Sequence, residues 1–417
     1  MIHKLKNQYK QGKEFISFSL FKFAGQGMEM LTPLLIATLV TPDFFGKYSL
    51  AKMIIFFFSS FFIASSSTPF IVYANKEKKV HGKINKSFSI QFTVIAIAII
   101  LFLTTIALFS EQLKDFANIS TLELFVLFPA FIGIAIKLFG ENIFLALNKK
   151  LIHSLVGLVF GFSVLFFSIL SITFYEGSLA YLFLPHFISG LVIFLFLKRY
   201  LPIEKLGPFK LHKENTKKFM IFTGWQAIGL TAVYFINWGD NLVLRYFVSV
   251  EEIGVYNLGY QIFKGLITTS FIISSYFMPF VIKNIHNKEK MRKYLYKKRP
   301  VILFSGLLVL IFFYFLVSPI FKIFYGPEYL NSILILKILI IPTILHLFIV
   351  FYLPILNSLE KYKFIQIVNI LAVILNVSLN IILVKKFGIF GAAISTTTVY
   401  ASMFFAYLVY INKLKLT

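Results

Sequence analysis

Charged and amide side chains recur at helical spacing inside long apolar stretches of this 417-residue chain. Lys22, Gln26 and Glu29 lie at positions i, i+4 and i+7, so they share one face of a predicted helix. Lys137 and Glu141 form an i, i+4 pair in a later apolar stretch. An ionisable group at membrane depth is costly and normally faces a partner or a wet cavity. These side chains therefore indicate a path for a charged group rather than a catalytic centre.

The second half of the chain has three similar stripes. Their members are Gln226, Asn237 and Asp240; Asn257, Gln261 and Lys264; and Asn369, Asn376 and Asn380. Buried amides also hydrogen-bond helices to one another, and we favour that structural role for the last three asparagines. A structural role stays equally open for the Lys137–Glu141 pair. Lys52 lies one turn inside a predicted span, from which its ammonium can extend to the membrane surface.

The composition requires a membrane around these stretches. Hydrophobic residues make up 58% of the chain and charged residues 14%, with a mean hydropathy of +0.83, whereas a soluble domain has about 25% charged residues. The absence of Cys excludes disulfides, thiolate metal sites and Cys nucleophiles. The first apolar stretch contains Lys22 and Glu29 and has no A-x-A end, so we do not expect a cleaved signal peptide. The lone His186 and His346 are expected to be packing residues.

The elements that position these side chains are twelve apolar stretches, each long enough to cross a hydrocarbon core of about 30 Å as a helix. They lie at roughly 15–40, 48–74, 88–110, 119–147, 151–175, 179–198, 219–245, 255–282, 300–322, 331–357, 365–386 and 391–411. We therefore predict an all-α integral membrane protein with an N-terminal six-helix bundle at 1–200, a cytoplasmic linker at 201–218 and a C-terminal six-helix bundle at 219–417.

The basic residues set the orientation. Thirty of the 41 Lys and Arg residues fall in the termini and alternate connectors, against six in the other connectors. Positive residues concentrate on the cytoplasmic side, so both termini are predicted to be cytoplasmic. Because these residues lie in short loops at anionic headgroups, the net charge of +24 does not indicate nucleic acid as a partner.

Two connectors half a chain apart repeat one pattern. TPDFFGKYSLA at 41–51 and SVEEIGVYNLG at 249–259 share Gly46/Gly254, Tyr48/Tyr256 and Leu50/Leu258. A parallel repeat of two six-helix units, related by a pseudo-two-fold axis along the membrane normal, explains the repetition. We expect the glycines to supply backbone freedom in a tight turn and the tyrosines to lie in the outer aromatic belt. A weaker echo pairs EGSLAY at 176–181 with GIFGAA at 388–393.

Together with FYGPEYL at 324–330 and KKFGIFGAAIST at 385–396, these connectors resemble those of the bacterial polysaccharide flippases, the Wzx or O-antigen and teichoic-acid exporter type. Asp240, shortly before the second connector, also fits, and the resemblance covers essentially the whole chain. It implies membership of the MOP superfamily, which contains multidrug and toxin extruders (MATE) and lipid II flippases. The expected fold is MATE-like, with two six-helix lobes around a central V-shaped cavity.

The resemblance also implies a function. The cargo would be an undecaprenyl-pyrophosphate-linked oligosaccharide repeat unit of O-antigen, capsule or exopolysaccharide, moved across the bacterial cytoplasmic (inner) membrane by alternating access. The resemblance implies coupling to H⁺ or Na⁺ and no bound cofactor. Membrane lipid and proteins of the polysaccharide-assembly pathway are the other partners it implies.

Lysines inside the spans determine the sign of the expected cavity. They are Lys22, Lys52, Lys137, Lys264 and Lys337. Against three deep acids they leave a net positive interior, which favours an anionic cargo such as a phosphate or an acidic sugar. The candidates for substrate binding are Lys22, Gln26, Lys52, Lys137, Gln261 and Lys264. With the resemblance, the candidates for ion coupling are Glu29, Asp240 and Glu141, and no catalytic or metal-ligating residue is predicted.

Two other functions stay open. An ion-coupled drug exporter of the same fold would favour deep acids over lysines, because its cargo is usually cationic. A membrane-embedded glycan polymerase or transferase would need an exposed catalytic loop with paired acids. Asp43, Asp115 and Asp240 are isolated, and the pair Glu251–Glu252 lies in the repeated connector, where a solvated loop acid is the better interpretation.

Overall fold

The computed structural model describes residues 2–174, 177–201, 206, 209, 211 and 213–414, and within these ranges it contains helices and no strand. The principal helices are α1 Ile2–Ala37, α2 Pro42–His81, α3 Asn85–Leu108, α4 Ser110–Ala117, α5 Thr121–Ala146, α6 Lys150–Thr173, α7 Ala180–Tyr200, α8 Lys213–Phe247, α9 Val250–Asn284, α10 Lys288–Phe324, α11 Pro327–Ser358 and α12 Tyr362–Lys413. The predicted all-α fold is confirmed. Within the predicted linker 201–218, residues 202–205, 207–208, 210 and 212 lie outside the described ranges.

These helices account for all twelve predicted spans. In the described part of the chain, ten helices are long and apolar enough to cross a membrane by length and composition. α1 covers the first predicted span in addition. α12 supplies the last two, because Gly388 interrupts it with a non-helical backbone at φ 56° and ψ −137°. The chain is therefore a multi-pass membrane protein with twelve crossings.

The helices expose large apolar side chains in a way that only lipid can cover. On α10, Val309, Phe312 and Phe315 are 65%, 66% and 70% exposed. A helix satisfies all its backbone hydrogen bonds internally, which is why apolar helices are stable in hydrocarbon. The exposed apolar face of α10 thus supports the membrane location inferred from the composition.

Two helices begin at matching capping boxes. Ser120 Oγ accepts a hydrogen bond from the Glu123 N–H at 3.3 Å at the start of α5. Ser249 Oγ accepts one from the Glu252 N–H at 3.2 Å at the start of α9. In each case the glutamate returns to the serine N–H, so two otherwise unpaired donors are satisfied.

The chain divides into two compact units. Met1–Leu39 with Lys47–Thr231 form the first unit, and Val40–Gly46 with Ala232–Thr417 form the second. In the first unit α1 packs most extensively against α6, and α5 against α7. The predicted division into bundles at 1–200 and 219–417 stays a prediction.

The duplicated glycines have a different role from the predicted one. Gly46 and Gly254 are helical and have no left-handed backbone, so they do not form tight turns. Each glycine instead allows two backbones of the second unit to touch. A Cβ on Gly46 would collide with the carbonyl oxygen of Val250, and a Cβ on Gly254 would collide with that of Pro42. The pattern recurs because the absence of a side chain, not backbone freedom, is required at both positions.

The location predicted for the tyrosines of the repeated connectors is also wrong. Tyr48 is 1% exposed and Tyr256 is fully buried, so neither lies in an interfacial aromatic belt. The weaker echo has a structural counterpart, since Gly177 and Gly388 both adopt positive φ angles, 79° and 56°. Glycine reaches this left-handed region at little cost. Corresponding connectors of the two halves therefore contain the same backbone device.

Candidate functional site

The first unit contains a cluster of buried and half-buried charges, here called the Lys137 cluster and defined as Glu29, Lys52, Lys137 and Glu141. Lys137 Nζ, on α5, lies 2.5 Å from Glu29 Oε1 on α1 and 3.8 Å from Glu141 Oε1 on its own helix. The sequence predicted the pairing with Glu141 from the i, i+4 spacing. The closer partner is 108 residues away in the chain and was not predicted.

Lys52 supplies the second cation of this cluster. It is only 9% exposed, so its ammonium does not extend to the membrane surface. Its Nζ lies over the rings of Tyr48 and Phe56, 5.4 Å and 5.6 Å from the centroids. Glu29 interacts with it electrostatically. An ammonium held against aromatic faces gains cation–π stabilisation that offsets part of its desolvation.

Glycines allow α1 to approach α6 closely enough to place Glu29. A Cβ on Gly25 would lie 2.7 Å from the backbone of Gly157, and a Cβ on Gly161 would collide with the carbonyl of Gly25. Small residues four apart are the usual means of close helix packing in membranes. Glu29 lies one turn after Gly25, so the close crossing directs its carboxylate toward Lys137.

Lys22 and Gln26 lie on the same helix but outside this cluster. Both are exposed, and Lys22 Nζ lies 5.7 Å from the ring centroid of Phe18. The i, i+4, i+7 pattern correctly places them on the helix face of Glu29. Their role in binding stays a prediction.

The two lone histidines pack among aromatic rings, as expected. His186 is 8% exposed and lies 6.2 Å and 6.5 Å from the ring centroids of Phe183 and Phe160. His346 lies 4.8 Å from the Phe271 ring and is within hydrogen-bond distance of Ser270 Oγ, at 2.7 Å.

The second unit contains a different polar centre, here called the Asp240 cluster and defined as Asp240, Tyr256, Asn376, Asn380 and Thr396. Asp240 is 1% exposed. Its Oδ1 accepts hydrogen bonds from the amides of Asn376 at 3.0 Å and Asn380 at 2.6 Å. Its Oδ2 accepts from the hydroxyls of Tyr256 at 2.5 Å and Thr396 at 2.8 Å. Four donors, one on α9 and three on the two segments of α12, thus converge on one carboxylate.

The donors of the Asp240 cluster are neutral. Of the ion pairs in the described part of the chain, none includes Asp240. Asn380 Oδ1 is buried and has no hydrogen-bond donor among the described residues. A carboxylate, amide oxygens and hydroxyls are the hard oxygen ligands that alkali and other hard cations prefer. The cluster is therefore chemically suited to a small cation or a proton.

Of the five members of the Asp240 cluster, only Asp240 was predicted to be a site residue. Asn376 and Asn380 were predicted to hold helices together, and Thr396 was noted only as the last residue of the motif KKFGIFGAAIST. The asparagines do join helices, since both donate to a carboxylate on α8. The sequence signal for the three α12 members is the i, i+4 asparagine pair on the span before Gly388, followed by a threonine on the next span.

Lys264 belongs to neither cluster and instead stacks on aromatic rings. Its Nζ is 3.5 Å from the Trp238 ring centroid and 4.9 Å from that of Tyr260. Lys264 and its neighbour Gln261 are half-buried. This stacking holds the Lys264 ammonium in one position beside α9. That Lys264 binds cargo stays a prediction.

The profile of the family described as polysaccharide biosynthesis protein matches residues 12–278, which is more than half of the chain. The chain belongs to this family. The resemblance inferred from the four motifs is thereby confirmed for the family.

Curated relatives of this polysaccharide biosynthesis family protein are distant. One is an uncharacterized membrane protein, MJ1068, of Methanocaldococcus jannaschii, 23% identical over 60% of this chain and 52% of its own length. Another is the probable low-salt glycan biosynthesis flippase Agl15 of Haloferax volcanii, 24% identical over 45% of this chain and 40% of its own length. The aligned part of this chain therefore spans about half the length of the curated relatives it matches.

Solved structures confirm the MATE-like fold of this family member. The lipid II flippase MurJ in an inward closed conformation superposes with a TM-score of 0.78 at 16% identity, covering 95% of this chain and 87% of that one. An inward-facing multidrug resistance MATE transporter of the MOP superfamily superposes with a TM-score of 0.73 at 13% identity, covering 94% and 96%.

Proposed function

We propose that this polysaccharide biosynthesis family protein is a flippase that moves a lipid-linked glycan across the membrane by alternating access. The family assignment supports this role, and so do the flippase names of one distant relative and one structural neighbour. The finer identity of the cargo follows from the sequence resemblance. It is an undecaprenyl-pyrophosphate-linked repeat unit of O-antigen, capsule or exopolysaccharide.

The observation on which the proposal depends is the Lys137 cluster. A pyrophosphate cannot cross hydrocarbon unaided, because transfer of a charged group into an apolar medium costs several kcal/mol or more. Lys137 and Lys52 provide two ammonium groups at membrane depth, both largely withdrawn from lipid. A phosphate oxygen is an acceptor of the same kind as the Glu29 carboxylate. It can therefore replace that carboxylate as a partner of Lys137.

The Asp240 cluster is the proposed coupling site. Asp240, Asn376, Asn380 and Thr396 would hold Na⁺, or Asp240 would accept a proton, as the energy source for transport. Rotation of the Asn380 amide would present its oxygen to the cation without breaking the helix. Coupling of this kind needs no bound cofactor and no catalytic residue, so the protein would act as a transporter and not as an enzyme.

The proposed setting is the bacterial cytoplasmic membrane with both termini cytoplasmic. The concentration of Lys and Arg in alternate connectors supports this orientation. Cargo would then be loaded from the cytoplasmic leaflet, where lipid-linked glycan is assembled. Proteins of the same assembly pathway are proposed partners.

The test is reconstitution in liposomes that contain a fluorescent polyprenyl-pyrophosphate-linked oligosaccharide. Without protein, a membrane-impermeant quencher should bleach about half of the label. With wild-type protein, bleaching should proceed toward completion, and the Lys52→Gln/Lys137→Gln variant should slow it to near the protein-free rate. The exposed pair Lys79→Gln/Lys83→Gln removes the same charge on the same chain and should retain activity. Equal activity of all three proteins would refute the role of the cluster.

The similarity to a MATE transporter keeps small-molecule export as a second candidate. The same liposomes decide between the two functions. Gradient-driven accumulation of a cationic dye, with no effect on the labelled lipid, would identify an exporter. Movement of the labelled lipid without dye accumulation identifies the flippase.

A further inference from the structure

A cavity of about 220 Å³ lies in the first unit, where α2 ends and α3 begins, beside the first turn of α8. Three basic side chains, Lys76, His81 and Lys86, line it together with the amide side chain of Asn215. The cavity is therefore rich in hydrogen-bond donors. None of the members of the Lys137 cluster lines it.

The carboxylate of Glu77 offsets only one of the two lysine charges in the cavity lining. Within the described residues, Glu77 is the only acid that lines the cavity. Its oxygens accept hydrogen bonds from the N–H groups of Lys86 at 2.8 Å and Ser87 at 2.9 Å, and from Ser87 Oγ at 2.8 Å. Glu77 thus satisfies the N-terminus of α3, which is the usual place for an acid that stabilises a helix. The ammonium groups of Lys76 and Lys86 are left for an external anion.

The orientation of the neighbouring lysines shows which side chains belong to the cavity. Lys78 points elsewhere, because its Nζ donates to the carbonyl of Leu147 at 2.7 Å. Lys79 and Lys83 are exposed and do not line the cavity. The hairpin therefore offers two pairs of lysines: exposed Lys76 and half-buried Lys86, which line the cavity, and exposed Lys79 and Lys83, which do not.

The remaining wall of the cavity is apolar. Tyr73, Val80 and Ile90 line it, with Ile90 buried and Val80 75% exposed. A soluble phosphate or nucleotide would leave this apolar wall uncovered. A membrane lipid covers it with its glycerol and first acyl carbons while its phosphate meets the lysines. Basic pockets at the ends of membrane helices are known to bind lipid headgroups in this way.

We propose that this cavity binds the headgroup of a resident anionic phospholipid. The phosphate accepts hydrogen bonds from Lys76 Nζ, Lys86 Nζ and the Asn215 amide, and His81 lies at the same wall. The bound lipid joins the α2–α3 hairpin to the start of α8. This site does not depend on the identity of the transported cargo.

The test is native mass spectrometry of the full-length protein in detergent with phosphatidylglycerol or phosphatidylethanolamine added. We expect wild-type protein to retain phosphatidylglycerol in preference to phosphatidylethanolamine. The variant Lys76→Gln/Lys86→Gln should lose roughly 10- to 30-fold in phosphatidylglycerol affinity, because each lysine near a lipid phosphate contributes on the order of 1 kcal/mol. The matched control Lys79→Gln/Lys83→Gln removes two charges from the same hairpin and should lose less than about threefold, since these side chains do not line the cavity and act on a bound phosphate only through screened solvent.

Four results would overturn the proposal. Equal losses in both double variants would show general attraction to a basic surface instead of a site. Displacement of phosphatidylglycerol by inorganic pyrophosphate at equal concentration would identify a soluble anion as the ligand, and tighter retention of a polyprenyl pyrophosphate would identify cargo. Lys76→Arg/Lys86→Arg, which keeps both charges, should retain the lipid, so a loss in that variant would show that packing alone was disturbed.

Discussion

The sharpest test of the coupling site is Asp240→Asn. The change removes one negative charge and keeps the size of the side chain. The asparagine oxygen can still accept from the amides of Asn376 and Asn380, and its NH₂ can donate to the hydroxyl of Tyr256 or Thr396. Buried polar groups therefore stay paired. Because only the charge-assisted part of these hydrogen bonds is lost, we expect a decrease in the free energy of unfolding of about 1–2 kcal/mol.

The effect on a bound cation should be much larger. Two unit charges 4 Å apart interact by about 4 kcal/mol at an effective dielectric constant of about 20. A cation held directly by the carboxylate is closer than that, so 4 kcal/mol is a lower estimate for the Coulombic part. Since about 1.4 kcal/mol corresponds to a tenfold change in affinity, Asp240→Asn should weaken cation binding by about 1,000-fold.

The assay imposes a Na⁺ gradient and, separately, a pH gradient across liposomes that contain the protein and a fluorescent lipid-linked oligosaccharide. At least one gradient should accelerate wild-type flipping, and neither should accelerate Asp240→Asn. If Na⁺ is the ion, a concentration 100 times its Kd should also stabilise the wild type against unfolding by about 2.7 kcal/mol, and the variant not at all. Asp115→Asn is the control for loss of an acid elsewhere. Gradient stimulation that survives in Asp240→Asn would refute the reasoning.

Three further substitutions test the rest of the site. Lys137→Met should lower the free energy of unfolding by about 2–3 kcal/mol, because two half-buried carboxylates lose their shared cation, as thermal unfolding in detergent would show. Gly25→Ala should slow flipping and destabilise the protein by about 1–3 kcal/mol through overpacking, whereas Gly27→Ala, where a Cβ meets nothing within 4 Å, should be neutral or slightly stabilising. Lys22→Ala/Lys264→Ala should abolish glycan export in cells while the protein level, measured by immunoblot, is unchanged.

Each of these has an internal check. Glu29→Gln should restore about half of the stability that Lys137→Met loses, since it removes one of the uncompensated charges, and a further loss would contradict the ion-pair assignment. Equal effects of the two glycine variants would show that the close α1–α6 crossing is not required. Normal export by the double lysine variant would remove Lys22 and Lys264 from the cargo path and leave the Lys137 cluster as the candidate.

The sequence was sufficient to predict what depends on local pattern. Apolar length and the period of 3.6 identified all twelve spans, and i, i+4 spacing found Lys137 and Glu141 as neighbours. The boundary predicted between the last two spans, 365–386 and 391–411, is confirmed, since Gly388 lies in that connector and is where the backbone of α12 leaves the helical region. Local rules work here because lipid forces each span to satisfy its own backbone.

Contacts between segments far apart in the chain could not be predicted from the sequence. Glu29 meets Lys137 across 108 residues, and Asn376 meets Asp240 across 136. No periodicity encodes which two polar faces will meet. The duplicated glycines show the same limit, since Gly46 and Gly254 are required by the backbone of another segment and not by their own conformation. Repetition correctly signalled a constraint, and only the structure identified it as close packing.

The two polar clusters balance charge in opposite ways, and this difference predicts separate phenotypes. Lys137 is already neutralised by carboxylates at two unequal distances, so in the proposed mechanism an arriving phosphate would exchange for one of them and the Lys137 ammonium would stay paired throughout. Asp240 is surrounded by neutral donors, so a bound cation would add charge neutralisation that its hydrogen-bond partners among the described residues do not supply. Variants of Lys137 or Glu29 should therefore change the concentration of lipid-linked glycan needed for half-maximal flipping, with the dependence on the ion gradient retained. Variants of Asp240 should change the gradient dependence and leave the half-maximal glycan concentration within about threefold of wild type, a margin smaller than one favourable ion-pair or hydrogen-bond contribution. A parallel shift of both quantities in either set would mean that one site performs both tasks.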